Sequence, residues 1–171
     1  MPSQEQEQTK ITVILPTNAY FTAGIRDFTL NLIKNTAHFG EKWAYRFQLI
    51  VDELCNNAIE HGTKTGGEIK ITFIYDVKSI EIIVEDTGDG KNKTSAKEMG
   101  KLVEERKNPA YVNVGIRGRG LGKIVANWTD ELKFEDTPSG GLKVTAKKLL
   151  NTPRSEDIDA PIESTNHIIL K

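Results

Sequence analysis

Two stretches of this chain alternate apolar and polar residues at a period of two and follow each other almost at once. "GGEIKITFIYD" covers residues 66–76 and "SIEIIVED" covers 79–86, with only "VKS" at their junction. Such alternation fits a strand with one face buried, and so short a link predicts an antiparallel hairpin. The apolar face of that hairpin must be covered. The candidates lie just upstream. Ile25, Phe28, Leu32 and Ile33 recur at helical spacing between residues 19 and 37. Phe47, Ile50, Val51, Leu54 and Ala58 do the same between 41 and 61. Gly40 and Gly62 stand where helix C-caps are expected.

The rest of the chain extends this plan. "ITVILP" (11–16) reads as a strand stopped by Pro16. "DELKFED" and "GGLKVTAKKLL", joined through "TPSG", read as a second hairpin. Between the hairpins runs a long Gly-, Lys- and Asn-rich connection, residues 87–118, with a short helix predicted over "AKEMGKLVEERK". Connections of that length in a compact domain are usually lids or disordered segments. "GLGKIVANW" reads as a glycine turn opening a helix. The order is β-α-α-β-β-lid-α-β-β. It predicts an α+β fold, a two-layer α/β sandwich with a mixed sheet and helices on one face. The domain is expected over residues 11–150, between a disordered N-terminus (1–10) and a polar C-terminal tail (151–171).

Composition narrows the function classes. Of 171 residues, 37% are hydrophobic and 27% charged, as in folded proteins. Lys and Arg number 23 against 24 Asp and Glu. That balance argues against direct nucleic-acid binding, which normally shows a basic excess. The one cysteine, Cys55, rules out an intrachain disulfide and suits a reducing cytoplasm. It is expected to serve packing. No apolar run reaches the roughly 18–20 residues of a membrane span, and "MPSQEQEQTK" lacks the apolar core of a signal peptide. A cytoplasmic protein with no membrane association is expected.

The chemistry concentrates in three places. In "VDELCNNAIEHG" (51–62), Glu53, Asn57 and His61 follow at four-residue steps, forming one stripe on an α-helix that drifts about 40° per step. The stripe borders the apolar face, so a carboxylate there is partly desolvated. An Asn beside a Glu can help hold a divalent cation whose other ligands are phosphates and waters. Read alone, the stripe is an ordinary solvated helix edge, with His61 near the helix end where imidazole suits the dipole. "VEDTGDG" (84–90) places Asp86 at a strand end before Gly88 and Gly90, which permit close backbone approach to a ligand. Asp-Thr-Gly also occurs in aspartic proteases, but those are all-β and the helices here argue against them. "GIRGRGLGK" (115–123) is a glycine turn into a helix, a ready anion site. Neither the Walker A nor the dinucleotide-binding frame fits, because Arg117, Lys123 and Ile124 occupy positions those patterns assign to other residues.

In this order, the three motifs resemble those of the GHKL superfamily of ATPases, which includes gyrase, heat-shock chaperones, histidine kinases and MutL. "ELCNNAIEHG" resembles its N box, "DTGDG" its first glycine box and "GRGLG" its second, with the lysine-rich stretch in the place of the ATP lid. Within that superfamily the chain is most similar to anti-sigma-factor serine kinases of the RsbW and SpoIIAB type. It shares their short single domain, the His-Gly ending of the N box, and Arg26 near the start of the first helix. The resemblance covers about residues 11–149.

The resemblance implies roles. Glu53 matches the general base that accepts a serine proton, and Asn57 the Mg²⁺ ligand. Asp86 matches the carboxylate that accepts from the adenine amino group, with Gly88 and Gly90 shaping that pocket. Gly120 and Gly122 match the glycines at the phosphates, in a segment that also holds Gly118 and Leu121, and Arg117, Arg119 and Lys123 are near enough in sequence to supply positive charge. The implied cofactors are ATP and Mg²⁺. The implied partners are a STAS-type anti-anti-sigma protein, a sigma factor and a second copy in a homodimer. Where the family carries threonines near adenine, this chain has Leu142 and Lys143, with Thr145 as a substitute two residues on. Two function classes stay open: a serine protein kinase, or a nucleotide-binding module acting by partner capture with little turnover.

Overall fold

The structure, a computed structural model, describes residues 8–36, 39–107 and 125–150. Strand β1 (Thr9–Pro16) leads to helices α1 (Ala19–Thr36) and α2 (Gly40–Asn57), and α2 runs on into a π-helical turn, Ala58–Gly62. Strands β2 (Glu68–Tyr75) and β3 (Ser79–Glu85) form the first hairpin. Helix α3 (Ala96–Lys107) lies in the long connection, and a short helical segment α4 (Ala126–Trp128) precedes strands β4 (Glu131–Asp136) and β5 (Leu142–Leu149). Thr9 and Lys10, expected in the disordered N-terminus, instead extend β1, because β2 is long enough to pair with them as far as Tyr75.

The sheet order is β1-β2-β3-β5-β4, and all four pairings are antiparallel. The expected mixed sheet is corrected here. A single crossover helix would return the chain to the far end of β1 and give a parallel pair. Two consecutive helices bring it back to the end it left, so Glu68 starts β2 opposite Pro16, where β1 stops.

One face of the sheet is apolar and carries the helices. Ile69, Ile71 and Phe73 of β2 lie beside Ile80, Ile82 and Val84 of β3, all buried. Each such side chain contributes about 1.5–3 kcal/mol through removal from water. Phe47, Ile50, Val51 and Leu54 of α2 complete the layer, and Phe28 of α1 meets Phe73 edge-on at 5.4 Å between ring centroids. Cys55 is packed here too; burial pushes its thiol up to about 12, which suits a packing role. The opposite face carries ion pairs, Lys70 with Glu85 at 2.7 Å and Lys143 with Glu135 at 2.8 Å.

Local chemistry fixes the joints. Gly40, with φ at +79°, makes the turn between α1 and α2. In the hairpin, Asp76 Oδ1 accepts from the backbone N–H groups of Lys78 and Ser79 at 2.7 and 2.8 Å, an Asx turn. Helix α3 begins with a capping box. Ser95 Oγ accepts from the Glu98 N–H at 3.2 Å, and Glu98 Oε2 accepts from the Ser95 N–H at 2.9 Å. Asp136 at the end of β4 accepts from the Ala96 N–H at 2.8 Å, which ties α3 to the sheet. Among the described residues, no helix is long and apolar enough to cross a membrane.

Candidate functional site

Where α2 passes into its π turn, a cleft opens between the helix layer and the strand ends. Asn57, His61 and Gly62 line one wall, Asp86 and Leu142 the floor, and Met99 of α3 the other wall. Three motifs far apart in sequence therefore meet: the α2 stripe, the loop after β3, and the start of β5.

Asp86 is the most constrained residue. Its Oδ1 accepts from the Gly88 N–H at 3.0 Å and the Leu142 N–H at 2.9 Å. Its own N–H donates to the Leu142 carbonyl at 3.0 Å. Oδ2 has no partner among the described residues and is the atom left to accept from a ligand. Burial raises the carboxyl's pKa, and the two backbone hydrogen bonds oppose that rise. The carboxylate is thus held in place by its chain while one oxygen stays available.

Glycines make room for it. A Cβ at Gly62 would overlap the Asp86 carboxylate, so Gly62 is needed for close approach. The C-cap role expected of Gly62 is corrected: its φ is not positive, and the turn runs out into extended backbone at Thr63. Gly88 has φ at +71°, and a Cβ there would overlap the Gly140 carbonyl. Gly90 packs against the His61 carbonyl, and its N–H donates to the Gly62 carbonyl at 3.2 Å.

A hydrogen-bonded clamp secures the same loop. Asp89 accepts from the Thr87 hydroxyl and, at 3.1 Å, from the Lys64 N–H, with Lys64 Nζ 3.3 Å away. Thr63 Oγ1 accepts from the Thr87 N–H at 3.3 Å.

On the helix wall, Asn57 Nδ2 donates to the Glu53 carbonyl one turn back at 2.7 Å. That bond fixes the amide and leaves Oδ1 as its acceptor. Glu53 is half-buried one turn nearer the start of α2 and does not line the cleft. Its carboxylate has no hydrogen-bond partner among the described residues. Burial raises its pKa, and the neighbouring Asp52 and Glu60 add to the effect. Asp52 faces Arg26 of α1 at 3.7 Å.

Residues 15–148 match the family model for the histidine kinase-like ATPase domain. The chain belongs to that family. No curated protein matches it.

Asn57 and Asp86 line one cleft, with Glu53 beyond its end; Gly88 and Gly90 do not line it but pack behind it, against Gly140 and against the His61 carbonyl. Arg117, Gly118, Arg119, Gly120, Leu121, Gly122 and Lys123 lie outside the described residues. Thr145 does not replace the family's threonine. It pairs with Ile83 on the face away from the helices, whereas Leu142 and Val144 face the cleft. Side chains two apart share a face, so the parity that groups Thr145 with Lys143 also excludes it.

Sequence reasoning missed Gly141 and Met99. A Cβ at Gly141 would overlap the Asp86 carbonyl, and the Gly140-Gly141 doublet in the hairpin turn was the available signal. Met99 carried no signal, because its place beside the cleft follows from the docking of α3.

The donor set fits ATP and Mg²⁺. The cleft supplies an apolar slot with one open carboxylate oxygen for a base that bears an amino group. Asn57 offers a single amide oxygen toward a cation whose other ligands would be phosphate and water.

Proposed function

We propose that this domain is an ATP-dependent serine protein kinase and anti-sigma factor. It would phosphorylate a STAS-type anti-anti-sigma partner, sequester a sigma factor and act as a homodimer. The observation that carries the nucleotide reading is Asp86, with Oδ1 saturated by two backbone N–H groups and Oδ2 open to the cleft. A carboxylate held in that way accepts from an exocyclic amine and favours adenine over a base that presents a carbonyl there.

The kinase reading is supported by Glu53. It lies one helical turn beyond Asn57, about 6 Å along the axis. In the reaction its carboxylate takes the proton of the substrate serine hydroxyl. That oxygen bonds to the γ-phosphorus, the bond to the β-phosphate oxygen breaks, and ADP leaves. Bound Mg²⁺ supplies charge neutralisation on the phosphates. Asn57 orients the cation, Asp86 anchors the base, and the raised pKa of Glu53 favours uptake of the proton.

The test is titration calorimetry with ATP, with and without Mg²⁺, on wild type and Asp86→Ala. Mg²⁺-dependent binding that the substitution removes supports the nucleotide site. No binding by folded wild type overturns it. Transfer of labelled phosphate to a serine of the partner, lost in Glu53→Ala with ATP binding kept, supports the kinase. ATP binding with no transfer supports the capture module instead.

A further inference from the structure

One strand pair ties helix α3 to the base end of the cleft. Leu142, the first residue of β5, holds Asp86 twice. Its N–H donates to Asp86 Oδ1 at 2.9 Å, and its carbonyl accepts from the Asp86 N–H at 3.0 Å. Directly across the β4–β5 pair stands Asp136. Asp136 Oδ1 accepts from the N–H of Ala96, the first residue of α3, at 2.8 Å. The turn joining the two strands is stiff. The Thr137 N–H donates to the Gly141 carbonyl at 2.8 Å, and the Gly141 N–H donates to the Thr137 hydroxyl at 2.9 Å. A Cβ on Gly141 would overlap the Asp86 carbonyl, so the turn is also packed against the Asp86 loop. Such a run of short bonds moves as one body.

The helix at the far end of this run is weakly held. It has twelve residues, a length at which a helix is marginal on its own. Of its described side chains only Met99 and Val103 are buried. Gly100 lies in its interior without a positive φ, and a Cβ there would meet nothing within 4 Å. Neither space nor backbone calls for glycine at that position, and its effect is to weaken the helix. Gly24 in α1 also has open space, but α1 is eighteen residues long and packs along α2. In so short a helix the first N–H groups matter, because no residue within the helix can satisfy them. Asp136 satisfies that of Ala96 and sets a negative charge at the positive end of the helix dipole. Met99 then carries the docked helix into the cleft wall.

We propose that Asp136 is a positioning residue that couples the base end of the cleft to the docking of α3, so that the base alone, with no phosphate attached, favours the docked helix. This rests on the nucleotide reading above. A base that fixes Asp86 also fixes Leu142 and the end of β4 opposite it, which keeps the Asp136 carboxylate at Ala96. The experiment is amide hydrogen exchange of α3 in the full chain, free and with saturating adenosine or Mg²⁺-ATP, on wild type, Asp136→Ala and Asp136→Asn. Calorimetry on the same proteins establishes binding. Adenosine is expected to slow α3 exchange about fivefold in wild type, the contribution of a typical helix cap. Asp136→Ala is expected to bind adenosine with little or no slowing. Asp136→Asn, whose amide oxygen still accepts, is expected to recover part of it. Equal slowing in wild type and Asp136→Ala overturns the role of Asp136. ATP that binds and slows α3 exchange where adenosine does not overturns coupling through the base. Wild type that binds neither ligand overturns the nucleotide reading itself and this proposal with it. Asp136 is exposed at the end of β4, and each protein is compared with itself, free and bound, so a general loss of packing does not imitate the effect.

Discussion

Gly62 lies against the Asp86 carboxylate so closely that a methyl group on Gly62 would occupy the space of Oδ2. Asp86 has little freedom to retreat, because its Oδ1 is held by Gly88 and Leu142. A Gly62→Ala substitution is therefore expected to displace the carboxylate or fill the base end of the cleft. Loss of one charged hydrogen bond corresponds to about a 10- to 100-fold drop in ATP affinity. Calorimetric titration checks this, with circular dichroism confirming the fold. Unchanged affinity would mean that the base does not sit at Asp86.

Glu53 gives a prediction with opposite signs for stability and activity. Burial, reinforced by Asp52 and Glu60, raises its pKa in the folded state. For a group with a raised folded pKa, the stabilising contribution is complete below the unfolded pKa and is lost as pH rises through the folded pKa. At pH 7 the ionised carboxylate is thus a net cost. Glu53→Gln is expected to raise Tm at pH 7, and the gain should shrink toward pH 4 as the native side chain takes up its proton. The same substitution should abolish serine phosphorylation. Thermal melts across that range, paired with transfer assays, test both parts. An unchanged Tm at pH 7 would contradict the first.

The layers of this fold were legible because they rest on periodicity. The alternation over 68–75 and 79–85 and the helical spacing of Phe47, Ile50 and Leu54 report burial directly. Strand direction was missed although both helices between β1 and β2 were read, because the antiparallel pairing follows from where the second helix returns the chain and not from any residue pattern. Asp86 and its glycines were legible as a motif, but the reason for Gly62 was not. It arises from a carboxylate 24 positions later in the chain, and no local signal carries that contact. The π turn was hidden for a related reason: four-residue spacing of Asn57 and His61 reads as α-helix whether or not the turn widens. Thr145 shows the limit of motif matching, because its strand parity outweighs its identity.

Asp89 anchors the loop that carries Asp86. The Thr87 hydroxyl and the Lys64 N–H hold its carboxyl down to about 2. A depressed folded pKa gives stability that is present above the unfolded value, about 3.9, and is lost as pH falls through the folded one. Asp89→Asn should lower Tm at pH 7, and the difference from wild type should close between about pH 4 and pH 2. Melting curves at pH 7, 4 and 2.5 measure it. A difference that persists undiminished at the lowest pH would show that the carboxylate charge is not what holds the clamp.

Phe47 tests whether the aromatic cluster at the start of α2 is structural support separate from the site. It is fully buried, 5.7 Å from both the Phe39 and Trp43 ring centroids, with the Phe39 contact edge-on. Truncation removes both ring contacts and leaves a cavity that rigid neighbours fill only in part. Phe47→Ala is expected to cost about 3–5 kcal/mol, and Phe47→Leu less. Denaturant titration measures the loss. Phe47 lies on α2 well before Glu53 and Asn57 and is not part of the cleft wall, so ATP affinity of the folded protein should stay within about twofold of wild type. A large affinity loss in a variant that is still folded would mean that α2 transmits strain from this cluster to Asn57, and that the cluster belongs to the site.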